Sequence, residues 1–205
     1  MRSNFKLQIL VFLMSCSFFM TGQSTFVTGD TNTQRFHTVK YIGSSLYGAG
    51  STVDGNGQIF GIFAEIDPAT NSTIWVSQLP EQSSLFDFIL DANEDFIVVG
   101  RTEPIIIGTN NWQNNRSIIS RFDQSGLHLS TNVYEVDSNT GAGTNDGREG
   151  FFRILHNPNA DNPDFPYFIA GFIDSDNMQA TVRDDAIIIN MDIDLNINQA
   201  CTGRY

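Results

Sequence analysis

The stretch Leu85–Tyr134 reads LFDFILDANEDFIVVGRTE and, after a polar gap, RSIISRFDQSGLHLSTNVY. It predicts four short strands: Phe86 to Leu90, Phe96 to Gly100, Ser117 to Phe122 and Leu127 to Tyr134. Asp91-Ala92-Asn93-Glu94 and Asp123-Gln124-Ser125-Gly126 are the turns, and Thr102 to Arg116 is a longer loop. Apolar and β-branched runs separated by Asn, Asp, Ser and Gly carry each assignment.

The pattern recurs on both sides. Upstream it gives strands at Phe36 to Ile42, Leu46 to Gly50, Ile59 to Ile66 and Thr73 to Leu79. Downstream it gives Phe151 to Leu155, Tyr167 to Ile173, Ala186 to Met191 and the start of a fourth strand at Ile197 to Cys201. Ala64-Glu65-Ile66-Asp67, Ser120-Arg121-Phe122-Asp123 and Ile189-Asn190-Met191-Asp192 align at the end of the third strand. Tyr47-Gly48-Ala49-Gly50, Val98-Val99-Gly100-Arg101 and Ile169-Ala170-Gly171-Phe172 align at the second and share a glycine. The aspartate suits an Asx-type turn. The glycine suits a strand position with little room for a side chain, or a sharp bend.

Four strands per unit at this repeat length are the signature of propeller blades. The turns Asp67-Pro-Ala-Thr-Asn-Ser-Thr-Ile-Trp75 and Phe122-Asp-Gln-Ser-Gly-Leu-His-Leu-Ser130 resemble those between the outer strands of bacterial β-propeller repeats. The chain is similar to quinoprotein-like and Kelch-like propellers and to the β-propeller repeat proteins exported by Bacteroidetes, from Phe36 onward. The resemblance implies an all-β fold of β-propeller-type blades, each of four antiparallel strands, at about 36–80, 85–134 and 150–205. About three copies are too few to close a ring of four to eight blades, so an incomplete propeller, part of a longer protein, is expected. A β-sandwich or solenoid fits the same strand pattern.

Residues 1–24 read as an export signal: Arg2 and Lys6, an apolar run from Leu7 to Met20, then Thr21-Gly22-Gln23-Ser24 around a cut. The run is short for a membrane span. Leu13-Met14-Ser15-Cys16 also resembles a lipobox, which would anchor the protein by a lipid on Cys16, but Ser17-Phe18-Phe19-Met20 continues the apolar stretch past it. Residues 25–35 are a polar lead-in to the repeat region, 36–205. A secreted or cell-surface location follows. Removing the signal leaves Cys201 without an internal disulfide partner.

The formal net charge is −12, which argues against nucleic acid as a partner. A protein or carbohydrate ligand fits better. Trp112, in the loop Gly108-Thr-Asn-Asn-Trp-Gln-Asn-Asn115, is the best single binding residue, because an aromatic there has no obvious core to enter. Trp75 and the phenylalanines read as core. Asp192, Asp194 and Asn196 alternate oxygen ligands at calcium-loop spacing, with Asn198 continuing the series. They lack the glycine and distal glutamate of an EF-hand, and solvated turn chemistry explains them as well.

No catalytic set stands out. His37, His128 and His156 fall in three different copies, and no G-x-S-x-G motif occurs. Glu65 and Glu149 would form a glycosidase pair only if the fold joined them. Asn71-Ser-Thr73 and Asn115-Arg-Ser117 match the glycosylation acceptor pattern. The expectation is an exported, non-catalytic binding or scaffolding protein without a required cofactor. The alternative is a propeller-fold glycoside hydrolase or polysaccharide lyase fragment.

Overall fold

The computed structural model describes residues 33–103, 115–134, 149–157, 164–174, 184–197 and 203–204. These residues are all-β and contain no helix. The strands are β1 (Thr33–Ile42), β2 (Ser45–Val53), β3 (Ile59–Ile66), β4 (Thr73–Leu90), β5 (Phe96–Thr102), β6 (Ser117–Phe122), β7 (His128–Tyr134), β8 (Glu149–His156), β9 (Tyr167–Asp174), β10 (Asp184–Met191) and β11 (Gly203–Arg204). β1 to β7 form a seven-stranded sheet in chain order, and β8 to β11 a four-stranded one. Both sheets are open, and their strands pair antiparallel.

β4 departs from the sequence reading, which ended one strand at Leu79 and began the next at Phe86. The chain makes no turn between them. One strand of 18 residues changes partners midway. Its first part pairs with β3, from Ile66↔Thr73 to Phe60↔Gln82, and its second with β5, from Ser83↔Thr102 to Leu90↔Phe96. Pro80 lies where the β3 register shifts, a position suited to a residue with no N–H to give. The Gly61 N–H opposite donates instead to Ser83 Oγ, at 3.1 Å. A Cβ on Gly61 would stand 2.8 Å from that same oxygen, so a larger residue would have to displace the Ser83 and Leu85 side chains.

The exchange of partners bends the seven-stranded sheet into two layers. The rings of Tyr47 on β2 and Phe96 on β5 are 4.6 Å apart. Three strand spacings would separate them by about 14 Å in a flat sheet. Between the layers Phe63 meets Phe88, Phe96 and Phe122, with centroids 4.9 to 5.2 Å apart. Leu79, Leu85, Val98 and Ile118 complete this core.

The four-stranded sheet packs on the far side of the second layer. There Ile97, Val99 and Ile119 meet Phe151, Ile154, Ile169, Ile187, Ile189 and Met191. β5 is therefore buried on both faces: Phe96 and Val98 point one way, Ile97 and Val99 the other. That is why Phe-Ile-Val-Val is a continuous apolar run rather than an alternation.

Of the fourth strand expected to start at Ile197 to Cys201, only Ile197 is among the described residues. Ile197 makes an isolated bridge to Met191, and the pairing to β10 is made by Gly203 and Arg204. Cys16 and Cys201 lie outside the described residues.

Candidate functional site

One irregularity occurs three times. β1, the second half of β4, and β8 each carry a bulge, at Phe36/Thr38, Leu85/Asp87 and Phe151/Arg153. Each bulge lies opposite a glycine: Phe36↔Gly50, Leu85↔Gly100 and Phe151↔Gly171. A Cβ on Gly50, Gly100 or Gly171 would lie 2.0, 2.2 or 2.2 Å from the carbonyl oxygen of Arg35, Ser84 or Gly150. Those overlaps explain why each of the three second-strand segments carries a glycine, with Gly50 one column beyond Gly100 and Gly171 in the quoted tetrapeptides. A bulge inserts one residue and turns its side chain out of register.

The inserted residues are His37, Phe86 and Phe152. Their rings form a ladder across the three strands, His37 to Phe86 at 4.9 Å and Phe86 to Phe152 at 4.6 Å. No backbone ladder joins β1, β4 and β8 to one another, so side chains do the joining. The Thr38 hydroxyl donates to the Phe86 carbonyl at 2.6 Å, and Lys40 Nζ donates to the Phe88 carbonyl at 2.8 Å.

Asp87 stands at the centre with 1% of its surface exposed. Its Oδ1 pairs with Lys40 Nζ at 2.5 Å. Its Oδ2 accepts the Ile154 N–H at 3.2 Å and faces Arg153 Nη1 at 3.9 Å. Arg153 also donates to Thr38 Oγ1, at 3.3 Å. One buried carboxylate thus holds groups from all three strands, which is how a buried charge is accommodated.

More cations surround the ring ladder. The Arg101 guanidinium lies over Phe86, 5.7 Å from its centroid. Burial first, then the charges of Arg35 and Arg101, hold the His37 imidazole below its ordinary value. His37 Nε2 stands 3.5 Å from Ser51 Oγ. Arg35, Lys40, Arg101 and Arg153 are four of the 11 basic residues, gathered at one place on a chain of net charge −12. They make this the chemically most distinctive part of the described surface.

A second feature is a cleft of about 180 Å³ beside the partner exchange of β4, lined by Leu79, Pro80, Ser83, Ile118, His128 and Thr131 among others. His128 Nε2 and Ser120 Oγ both bond to Thr131 Oγ1, at 2.8 and 2.9 Å. The cleft is smaller than the pockets that enclose drug-sized ligands.

The residues singled out by sequence fare differently. Trp112 lies outside the described residues. Asp192 and Asn196 form a turn in which Asp192 Oδ1 accepts the Asn196 N–H at 2.7 Å and Oδ2 accepts its side-chain amide at 2.9 Å. Asp194 is exposed on that turn, and Asn198 lies outside the described residues. Among the described residues no three His, Cys, Asp or Glu side chains gather as a metal site would require.

Glu65, in β3, pairs in register with Trp75, and Glu149 opens β8 in the other sheet. His37, His128 and His156 lie on three different strands. Of the two acceptor asparagines, Asn115 is buried and Asn71 exposed. The Asp87 cluster was missed because its members are far apart in sequence. The aligned glycines were its one available signal. Neither a protein-family model nor a curated protein matches the chain.

Proposed function

We propose that the protein is an exported, non-catalytic binding or scaffolding module built from β-propeller-type repeats, with residues 1–24 as its export signal. The observation that carries the reading is the threefold bulge opposite a close-packed glycine, within the second-strand segments that share a glycine in sequence. Three equivalent strands that contact one another by side chains, not by a backbone ladder, are what blades around a common axis require. Four-stranded units that are apolar on both faces, as the second layer is, suit stacking against neighbours on each side.

Binding at the converging strands fits this arrangement. Rigid strands hold the polar groups, and solvent reaches Arg153, 60% exposed, and Lys40, 34% exposed. The mature chain would act at or beyond the cell surface, on a carbohydrate or protein ligand.

The test uses the purified full-length chain on an array of neutral and acidic glycans, with reducing-end release measured on the same polysaccharides. Retention without product release supports a binding module. Release of new ends, lost on substitution of Asp87, supports the hydrolase or lyase reading instead. Mass analysis of the exported product tests the signal: cleavage near Ser24 is expected, and a lipidated Cys16 would replace release by anchoring.

A further inference from the structure

We propose that the cationic side of the Asp87 cluster binds an oxyanion, a carboxylate or a phosphate group carried by the ligand. This deepens the binding reading above and rests on it.

The first argument is charge. Lys40 and Arg153 share a single carboxylate, Asp87. Arg101 reaches Glu103 at 3.8 Å, beyond hydrogen-bond length. Glu103 Oε1 already accepts the Ser84 hydroxyl at 2.5 Å. Arg35, exposed, adds a further cation near His37. Four cations therefore gather around Asp87 and Glu103, on a chain whose overall charge is −12. Gathering like charges costs energy that a bound anion would recover.

The second argument is an unmet donor. Arg101 Nε is buried without a hydrogen-bond acceptor, although its side chain as a whole is 31% exposed. A buried N–H left unpaired is destabilising, so such groups mark strain or a ligand position. Planar guanidinium groups meet planar oxyanions in a fixed fork, and Arg101 is held for that role by the Phe86 ring beneath it.

The third argument is preorganisation. Three bulges, each locked by a glycine that admits no side chain, fix the strand positions from which these groups project. Arg153 is the most exposed member of the Asp87 pairing. Its longest contact is the one to Asp87, and it retains most of its exposure, so it can swing onto a ligand while Lys40 keeps Asp87 paired.

The experiment titrates the full-length chain with sodium citrate and, separately, with sodium phosphate, at ionic strength held constant with sodium chloride. Heat of binding and the His37 imidazole resonance are followed together. Anion binding beside Arg35 and Arg101 is expected to raise the His37 pKa, since it offsets charges that now depress it. Arg153→Gln and Arg35→Gln, both on exposed side chains, test the site without threatening the fold, and Arg101→Gln tests the fork itself. Loss of Arg101 or Arg153 is expected to weaken binding about tenfold or more.

Binding of citrate but not phosphate assigns a carboxylate ligand, and the reverse assigns a phosphate. If neither anion moves His37 beyond the effect of chloride, or if Arg153→Gln and Arg101→Gln bind as well as the parent, the proposal is overturned. Neutral glycans retained on the array in that case would leave the wider binding reading standing. Citrate binding lost in the variants, with no glycan or protein ligand found, would separate the two the other way.

Discussion

Asp87 and the turn aspartates use the same side chain in opposite ways. Asp54, Asp91 and Asp123 each accept backbone N–H groups two and four residues on, at 2.8 to 2.9 Å. Each turn is closed by a backbone pair, such as Asp123 N–H to Leu127 O and Gly126 N–H to Asp123 O. Asp192 repeats the closure with Asn196 and Leu195, and Asp67 does so one residue longer, with Ser72 and Asn71. These carboxylates are satisfied within a few residues of themselves.

Asp87 has no local partner of this kind. It is held by Lys40 from β1 and by Ile154 from β8, the latter 67 residues away. Asp91 is the intermediate: it closes its own turn and also takes Arg121 Nη1 at 3.0 Å. The contrast separates what shapes a hairpin from what joins layers.

The largest expected effect comes from breaking the joining aspartate. Asp87→Ala leaves the Ile154 N–H unpaired and Lys40 without its counter-ion, at a cost of about 2–4 kcal/mol. Urea denaturation measures it, and a loss no larger than at a turn would erase the distinction drawn here. Gly100→Ala follows, at about 2–3 kcal/mol, because the new Cβ would sit 2.2 Å from the Ser84 carbonyl and force the bulge to move.

The two regions should also separate by pH. His37 is held below its ordinary value of 6.5, so its contribution is complete above that value and is lost as pH falls into the depressed range. The Thr70 hydroxyl lowers Asp67 and the Ser125 hydroxyl lowers Asp123, each helped by backbone N–H groups. Their contribution is present above 3.8 and is lost as pH falls below it, through the folded values. A stability profile against pH should thus show a step beginning near 6.5 that His37→Gln removes, distinct from the acid limb.

The smallest change expected is a gain. Glu94 takes a left-handed conformation, φ 65°, where the equivalent Gly57 and Gly126 take 79° and 84°. Glu94→Gly should add about 0.5–1 kcal/mol, read as a raised urea midpoint. Leu195, also left-handed at 66°, is kept from that exchange by its burial in the core facing the four-stranded sheet.

The same contrast explains what the sequence disclosed. Turns built on one aspartate and its next four or five residues are local, so Asp67, Asp91, Asp123 and Asp192 were legible as turns, and β3 and β6 were read to the residue. The aligned glycines were legible as cramped positions, though nothing local said what cramped them. The unbroken β4 was not legible. Its continuity depends on a partner exchange, and Gln82-Ser83-Ser84 reads as a gap without the strands beside it. Lys40, Asp87 and Arg153 gave no joint signal, because three separate bulges must form before they meet.

The most direct measurement is a double-mutant cycle between Lys40→Met and Asp87→Asn, followed by urea denaturation of the full chain. A convergent Asp87 predicts a coupling of about 1 kcal/mol or more, since Lys40 loses its value once the carboxylate is gone. Additive effects, within about 0.3 kcal/mol, would mean the pair does not join β1 to β4, and the three strands would have to be held together by the ring ladder, the Thr38 bonds and their cores.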